Sequence, residues 1–186
     1  LRQIGGAALE EIARNVRNAG ATLLLSGAEN PLASPLRATV PPGIERFETV
    51  FASFDEDSFG RWETEGHAFR RPQPGATVKQ SPVTGHLGAG LVNSFDPGDG
   101  PHGRLLSPRF TIKRRYISML LGGGHKPGAV GVNLLVNGKA VLSATGRNAE
   151  HLERIEWDVS QWMDAEAQIE FIDRSSDGWG HMLADD

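Results

Sequence analysis

The stretch YISMLLGGGHKPGAVGVNLLVNGKAVLSA, residues 116–144, decides the fold. It contains two apolar runs, Tyr116–Leu121 and Val130–Val136, whose length is typical of buried β-strands. The dipeptide Asn137-Gly138 follows the second run and is a strong hairpin signal, because both residues tolerate the positive φ of a type I′ turn. The chain is then predicted to return as a strand over Lys139–Thr145.

Two glycine clusters mark the place where a site is expected. Gly122–Gly124 and His125 come directly after the first apolar run, and successive glycines allow positive φ and close backbone approach. A second cluster, Gly178–His181, lies near the end of the chain. We predict that the two clusters meet at the rim of a sheet.

Short apolar runs separated by turns continue through most of the chain. Counts of 23 glycines and 11 prolines favour a turn-rich body made of strands. With residues 116–145 the pattern gives about nine strands, which predicts an all-β fold built as a β-sandwich. The remaining strands are expected over Phe47–Phe54, Trp62–Phe69, Leu91–Phe95, Arg154–Val159, Ala167–Asp173 and a last run from His181, with Arg104–Ser107 and Phe110–Ile112 pairing around Pro108.

Residues 1–46 differ in style from the rest. Apolar residues recur at helical spacing before Gly20, which predicts a helix over residues 1–20. Residues 26–46 are rich in proline and are predicted to be a linker or a covering loop. We therefore divide the chain into 1–46, the tail of a preceding domain or an appendage, and 47–186, the β-sandwich module. Since Leu1 is not a start methionine, we expect the chain to be a piece of a longer protein.

Composition excludes several classes of function. The net charge of −4 argues against a nucleic-acid-binding surface, which needs a basic excess. The chain has no cysteine, so it forms neither a disulfide nor a thiolate metal site. No apolar run approaches the roughly 20 residues needed to span a bilayer, and we expect no membrane insertion.

Two histidines and a tryptophan in the glycine clusters are the first candidates for ligand binding. His125 and His181 each follow a glycine, so each imidazole either hydrogen-bonds a sugar or holds a loop, or it caps backbone groups at a corner of the sheet. Trp179 lies between two glycines and is either a platform on which a sugar stacks or a lid over the core. The other three tryptophans, in apolar surroundings, are expected in the core or at sheet edges.

Three charged residues complete the predicted ligand-binding set. Arg147 and Glu150 lie three positions apart after a glycine, so they either form an ion pair or contact a ligand together. Asp173 ends an apolar run, where its carboxylate accepts from amides of the following loop. No pair of carboxylates is distinguished by its spacing, which gives little support for glycosidase chemistry.

Acidic residues at the two ends of the module raise the question of a metal. Asp55 and Asp57 lie in one acidic turn and Asp185 lies near the C-terminus, and carboxylates are the ligands that Ca²⁺ prefers. A solvated acidic turn is the simpler interpretation, and a structural calcium is the alternative. No other cofactor is expected.

A set of ordered motifs resembles one known module. The motifs are Trp62 with Gly66–Phe69, Gly90–Phe95, Leu106–Pro108, Phe110–Ile112, Tyr116–Ile117, Leu121–His125, Asn133–Val136, Gly138–Lys139, Thr145–Asn148, Glu150–Leu152, Trp157–Val159, Ile169–Asp173 and Gly178–His181. Together they are similar to the β-sandwich module attached to glycoside hydrolase family 32 enzymes, the levanases and inulinases, of Bacteroidetes. The same module occurs in large secreted planctomycete proteins that carry cytochrome-type domains. The resemblance covers about residues 47–186.

The resemblance implies a jelly-roll fold, of galactose-binding-like or lectin-like type, and a non-catalytic, carbohydrate-associated role. It also implies an extracellular or periplasmic location. Met182–Asp185 departs from the run of Ile, Asn, Val and Asp expected there, which puts the last strand in question. The five-bladed catalytic domain of family 32 has no counterpart in this sequence, so hydrolysis does not transfer.

Three hypotheses follow for the function. The first is a binding module whose partners are carbohydrate and neighbouring domains of the same polypeptide. The second is a structural spacer that orients a neighbouring catalytic domain, in which the same polar cluster is buried and internally hydrogen-bonded. The third and weakest is a glycoside hydrolase in its own right. Exposure of Trp179 and His125 separates the first two, and the spacing of carboxylates in a cleft tests the third.

Overall fold

The structure is a computed structural model that describes residues 49–186. These residues form ten strands and a single 3-10 helical turn, Ser160–Trp162, without any α-helix. The strands are β1 (Glu63–Gly66), β2 (Val92–Asn93), β3 (Gly103–Leu106), β4 (Phe110–Thr111), β5 (Tyr116–Gly123), β6 (Val130–Val136), β7 (Lys139–Ala144), β8 (Ala149–Asp158), β9 (Glu166–Asp173) and β10 (Met182–Asp185). No helix within this part of the chain is long and apolar enough to cross a membrane. The predicted N-terminal helix, the linker and the boundary at residues 46–47 lie outside the described residues.

The strands form two antiparallel sheets with nested pairing. The larger sheet has the order β1-β3-β9-β6-β7, with β4 also paired to β9, and the smaller has the order β2-β10-β5-β8. Pairing therefore joins β2 to β10, β3 to β9, β5 to β8 and β6 to β7, so each pair encloses the next. Nested pairs distributed over two sheets are the topology of a jelly roll. The predicted fold class, an all-β jelly-roll sandwich, is confirmed.

The innermost pair is the hairpin that the sequence predicts most strongly. β6 occupies Val130–Val136, as predicted, and Val136 pairs with Lys139 across the turn. Asn137 and Gly138 have φ values of 50° and 75°, the left-handed conformation that a type I′ turn needs at both central positions.

The main core lies between the two sheets. Leu105, Leu134 and Phe171 come from the larger sheet, and Met119 and Met182 from the smaller one. Each such side chain, when fully buried, contributes about 1.5–3 kcal/mol. The predicted places of the tryptophans are also found, because Trp62, Trp157 and Trp162 are partly buried against this core.

A second apolar cluster covers the other face of the smaller sheet. It consists of Val83, Leu91, Leu120, Leu152 and Leu183. The segment around residues 83–91 therefore lies over this sheet, and β10 is buried along its whole length. The departure of residues 182–185 from the expected motif does not disturb the last strand, since a Met, a Leu and an Ala fill its two buried faces.

Two strand predictions are wrong. The described part of the strand expected at Phe47–Phe54 is not a strand, because Phe54 has a φ of 55° that interrupts an extended chain. Its ring packs instead on Trp62, with centroids 5.3 Å apart. β3 and β4 do not pair with each other: both pair with β9, through Leu105 opposite Phe171 and Phe110 opposite Ala167. Pro108 between them has no N–H, so the chain interrupts the ladder there and resumes further along β9.

Candidate functional site

The two glycine clusters meet, as predicted. Gly123 at the end of β5 pairs with Met182 of β10, and the amide of Gly124 donates to the carbonyl of His181 over 2.8 Å. A Cβ on Gly124 would overlap the carbonyl oxygen of Trp179, so only glycine allows this approach. The glycines therefore bring Trp179 and His181 onto the end of the smaller sheet.

His181 lies at the centre of a cluster of polar side chains that it forms with Asp99 and Glu150. Its side chain is only 3% exposed. The Nδ1 atom lies 2.6 Å from Oδ1 of Asp99, which comes from the loop between β2 and β3. The Nε2 atom lies 3.3 Å from Oε2 of Glu150, which comes from β8. Both ring nitrogens thus face a carboxylate.

An outer layer of side chains holds this cluster in place. Oε2 of Glu150 also accepts from Nε2 of Gln80 over 3.0 Å. Oε1 of Gln80 accepts in turn from the side-chain amide of Asn93 over 2.8 Å. The ring of Phe95 lies edge-on to His181 with centroids 4.9 Å apart. The imidazole is therefore enclosed on its polar and apolar sides.

Trp179 lies against His181 and remains partly exposed to solvent. The two rings are stacked at a centroid distance of 5.7 Å and an interplanar angle of 24°. The Trp179 residue is 38% exposed, which favours the alternative of an accessible ring over that of a lid over the core. Its φ of 61° lies in the left-handed region, which is unusual for a residue with a side chain.

Asp173 is buried at the end of β9 in the same region. Oδ1 accepts from the amide of Ser175 over 3.3 Å, as predicted for a carboxylate before a loop. Oδ2 has no hydrogen-bond partner among the described residues. Burial raises the pKa of Asp173 to about 6, and the hydrogen bond from the amide of Ser175 offsets this only in part.

His125 is exposed beside the first glycine cluster, and it contacts one side chain and one backbone carbonyl of a neighbouring loop. Its amide donates to Oδ1 of Asn148 over 2.7 Å, and Nδ1 lies 3.2 Å from the carbonyl oxygen of Gly146. These contacts match the backbone-capping alternative.

Of the two alternatives for Arg147 and Glu150, the ion pair is not formed. Arg147 pairs with Glu153 over 2.9 Å, and both side chains are largely exposed. Glu150 and Glu153 lie three positions apart on β8, and because successive residues of a strand point to opposite faces, their side chains lie on opposite faces of the sheet. Glu150 therefore faces His181, while Glu153 lies on the side where Arg147 reaches it.

Two of the three acidic residues considered for calcium, Asp55 and Asp185, accept hydrogen bonds from backbone amides. Asp55 accepts from the amides of Ala89 and Gly90, and the hydrogen bond from Ala89 is the main cause that lowers the pKa of Asp55. Asp185 is buried and accepts from the amide of Leu87 over 2.7 Å, and burial raises its pKa to about 6.

These two carboxylates thus hold one loop, while the third candidate, Asp57, is exposed. Within residues 49–186 no group of three or more His, Cys, Asp or Glu side chains is placed to hold a metal. Structural calcium stays a prediction.

Four residues of the cluster, Asp99, Gln80, Asn93 and Phe95, are not among the predicted site residues. Asp99 lies in a Gly-Asp-Gly turn, and a carboxylate between two glycines is a signal that could have singled it out. Gln80 and Phe95 carry no such signal, because their roles come only from packing against His181 and Glu150.

Two clefts of the described residues lie away from Trp179 and His181. These clefts have volumes of about 30 and 180 Å³. The smaller lies beside Arg147 and His151, and the larger lies beside Gly131, Asn133 and Ser143. Trp179 and His181 line neither of them.

Comparison with known proteins gives one curated relative. No protein-family model matches the chain. The chain is 41% identical over 140 residues to the "Putative glycosyl hydrolase ecdE" of Aspergillus rugulosus, a match that covers 73% of this chain.

Among solved structures, it is similar to TmCBM61 in complex with beta-1,4-galactotriose, with a TM-score of 0.44 and 15% identity over 72% of this chain and 90% of that one. It is also similar to the C-terminal extracellular domain of Mycobacterium tuberculosis EmbC, with a TM-score of 0.44 and 13% identity over 73% of this chain and 58% of that one. The chain spans 20% of the length of the curated relative that it matches.

Proposed function

We propose that the β-sandwich is a non-catalytic glycan-binding module of a larger secreted protein, with Trp179 as its binding platform. The observation that carries this proposal is the Trp179 ring, 38% exposed and stacked against a buried, hydrogen-bonded His181. A sugar ring presents an apolar face of C–H groups, and a flat aromatic ring in a fixed orientation is the surface that such a face stacks on.

Polar groups beside the ring support the same proposal. Asp99 and Glu150 are partly exposed at 21% and 13% of their side-chain surface, and their second carboxylate oxygens are acceptors for sugar hydroxyls. Asp177, two residues before the platform, is 89% exposed. An aromatic face with a few fixed polar groups is what polyol recognition requires.

The hydrogen bonds that Asp99 and Glu150 make to His181 favour glycan binding over glycan hydrolysis. Asp99 and Glu150 both hydrogen-bond His181, so neither is a free acid or nucleophile facing an open cleft. The 41% identity to part of a protein named as a glycosyl hydrolase supports a place beside a glycan-active domain. We extend the proposal to an extracellular or periplasmic location, to contact with neighbouring domains, and to association with family 32 enzymes or the planctomycete proteins that carry this module.

The proposal is tested by electrophoresis of the chain through gels that contain polysaccharides, levan and inulin among them. Trp179→Ala removes the platform. Tyr116→Ala is the matched control, because Tyr116 is 46% exposed and lies at the opposite end of β5 from Gly123. We expect at least one polysaccharide to retard the wild type and Tyr116→Ala but not a folded Trp179→Ala. Equal retardation of all three proteins, or no retardation of the wild type by any polysaccharide, would contradict the proposal.

A structural spacer is the second candidate, and one observation favours it. His181, Glu150 and Asp173 are buried or nearly so, and the first two are bound to each other rather than open to a ligand. If the module is a spacer, no polysaccharide binds, and Trp179→Ala changes only the stability of the fold.

A further inference from the structure

The two carboxylates around His181 define the protonation state of its ring. A neutral imidazole has one N–H donor and one acceptor nitrogen, and an ionised carboxylate only accepts. With Asp99 on Nδ1 and Glu150 on Nε2, a neutral ring would direct one lone pair at another. With both carboxylates ionised, both contacts are hydrogen bonds only when the ring is an imidazolium. A buried charge is retained when it is paired and hydrogen-bonded, and here two acids do both.

The backbone of Trp179 is held in an unfavourable conformation. A φ of 61° on a residue with a Cβ is sparsely populated and persists only where surrounding contacts impose it. Two contacts are present: the Trp179 carbonyl packs against Gly124, and the indole ring stacks on His181 at 5.7 Å. A cation is attracted to an aromatic face when it lies within about 6 Å of the ring centroid, and this distance meets that condition.

We infer that His181 is a positioning residue of the platform: held as an imidazolium by Asp99 and Glu150, it fixes the orientation of the Trp179 ring. The inference rests on the proposed function, since the ring it orients is the proposed binding surface. His181 is itself almost fully buried and acts through Trp179. Asp173 is a third acid close enough to feel the charge of His181, and it adds to the negative surroundings that retain the proton.

The first test needs no glycan. Long-range ¹H–¹⁵N spectra of the full chain at neutral pH report whether each imidazole nitrogen carries a proton. We expect both nitrogens of His181 to be protonated in the wild type, and Asp99→Asn and Glu150→Gln to shift the ring toward the neutral form. A wild-type ring with one unprotonated nitrogen would overturn the inference.

The second test measures the coupling to Trp179 by fluorescence, since an imidazolium quenches an indole stacked on it. His181→Gln should raise the emission in the wild-type background and leave it unchanged in a Trp179→Phe background. His151→Gln is the matched control, because His151 is exposed and lies on β8 beside Thr84. Equal changes in the two backgrounds would show that His181 does not act through Trp179.

The third test links positioning to binding. We expect a folded His181→Gln protein to bind the polysaccharide that retards the wild type about tenfold more weakly, as loss of a desolvated cation–π contact implies. Unchanged affinity would overturn the positioning role. If no polysaccharide binds the wild type while the ring-nitrogen and fluorescence results are as expected, the proposed function fails and the placement of Trp179 by His181 stands.

Discussion

At the scale of single residues, the buried acids set how stability depends on pH. Burial raises the pKa of Asp173 to about 6 in the folded protein, from an ordinary value of 3.8. Between these values the folded state keeps a proton that the unfolded state has lost. The free energy of unfolding therefore falls as pH rises from about 4 to 6, by up to about 3 kcal/mol for this one group.

Asp173→Asn should remove this part of the pH dependence, because an amide keeps the acceptor for Ser175 and does not ionise. Urea unfolding from pH 4 to 7 measures the difference between variant and wild type, which should grow with pH in favour of the variant, by about 1–3 kcal/mol at pH 7. Asp57→Asn, at an exposed position, is the control and should keep the wild-type profile. Parallel profiles for Asp173→Asn and wild type would refute the assignment.

At the scale of elements, long periodic runs and turn dipeptides could be predicted from the sequence. The β6–β7 hairpin follows from local chemistry, since Asn137-Gly138 supplies its turn and Val130–Val136 its apolar strand. The phenylalanines before Trp62 could not be placed this way, because an aromatic residue packed on a neighbouring ring resembles a strand residue in sequence. The pairing of β3 with β9 could not be predicted from the sequence either, because β9 lies more than sixty positions further along the chain.

Gly138→Ala tests the turn. Its φ is 75° and a Cβ there meets nothing within 4 Å, so the cost is backbone strain alone, about 1 kcal/mol. Chemical denaturation measures the free energy of unfolding of Gly138→Ala and of the control Gly178→Ala. At Gly178 a Cβ also meets nothing within 4 Å, and φ is outside the left-handed region. Equal stability of the two variants would contradict the type I′ assignment.

Gly124→Ala tests the corner that joins the two glycine clusters. The new Cβ overlaps the carbonyl oxygen of Trp179, and backbone cannot rotate away as a side chain can. We expect a loss of about 2–3 kcal/mol in the free energy of unfolding and weaker polysaccharide binding. Full stability in the same denaturation series would show that the clusters do not touch.

At the scale of the whole molecule, the nested pairing explains why the site was only partly predictable. Each glycine cluster is recognisable in sequence, and their meeting follows from the pairing of β5 with β10. Asp99 and His181 are 82 positions apart, and Glu150 reaches the same ring from β8. The sequence therefore indicates His181, Trp179 and Glu150 as candidates. The contacts among them depend on how the β2–β3 loop, β8 and the segment before β10 come together.

The most direct test of the binding platform is an NMR titration of the full chain with an oligosaccharide of the polysaccharide that binds in gels. The four tryptophans give four indole N–H signals, which substitution of each tryptophan assigns. We predict that the Trp179 signal shifts in a saturable way while those of Trp62, Trp157 and Trp162 stay in place. Saturable shifts confined to the groove beside Asn133 and Ser143, with Trp179 unmoved, would contradict the account.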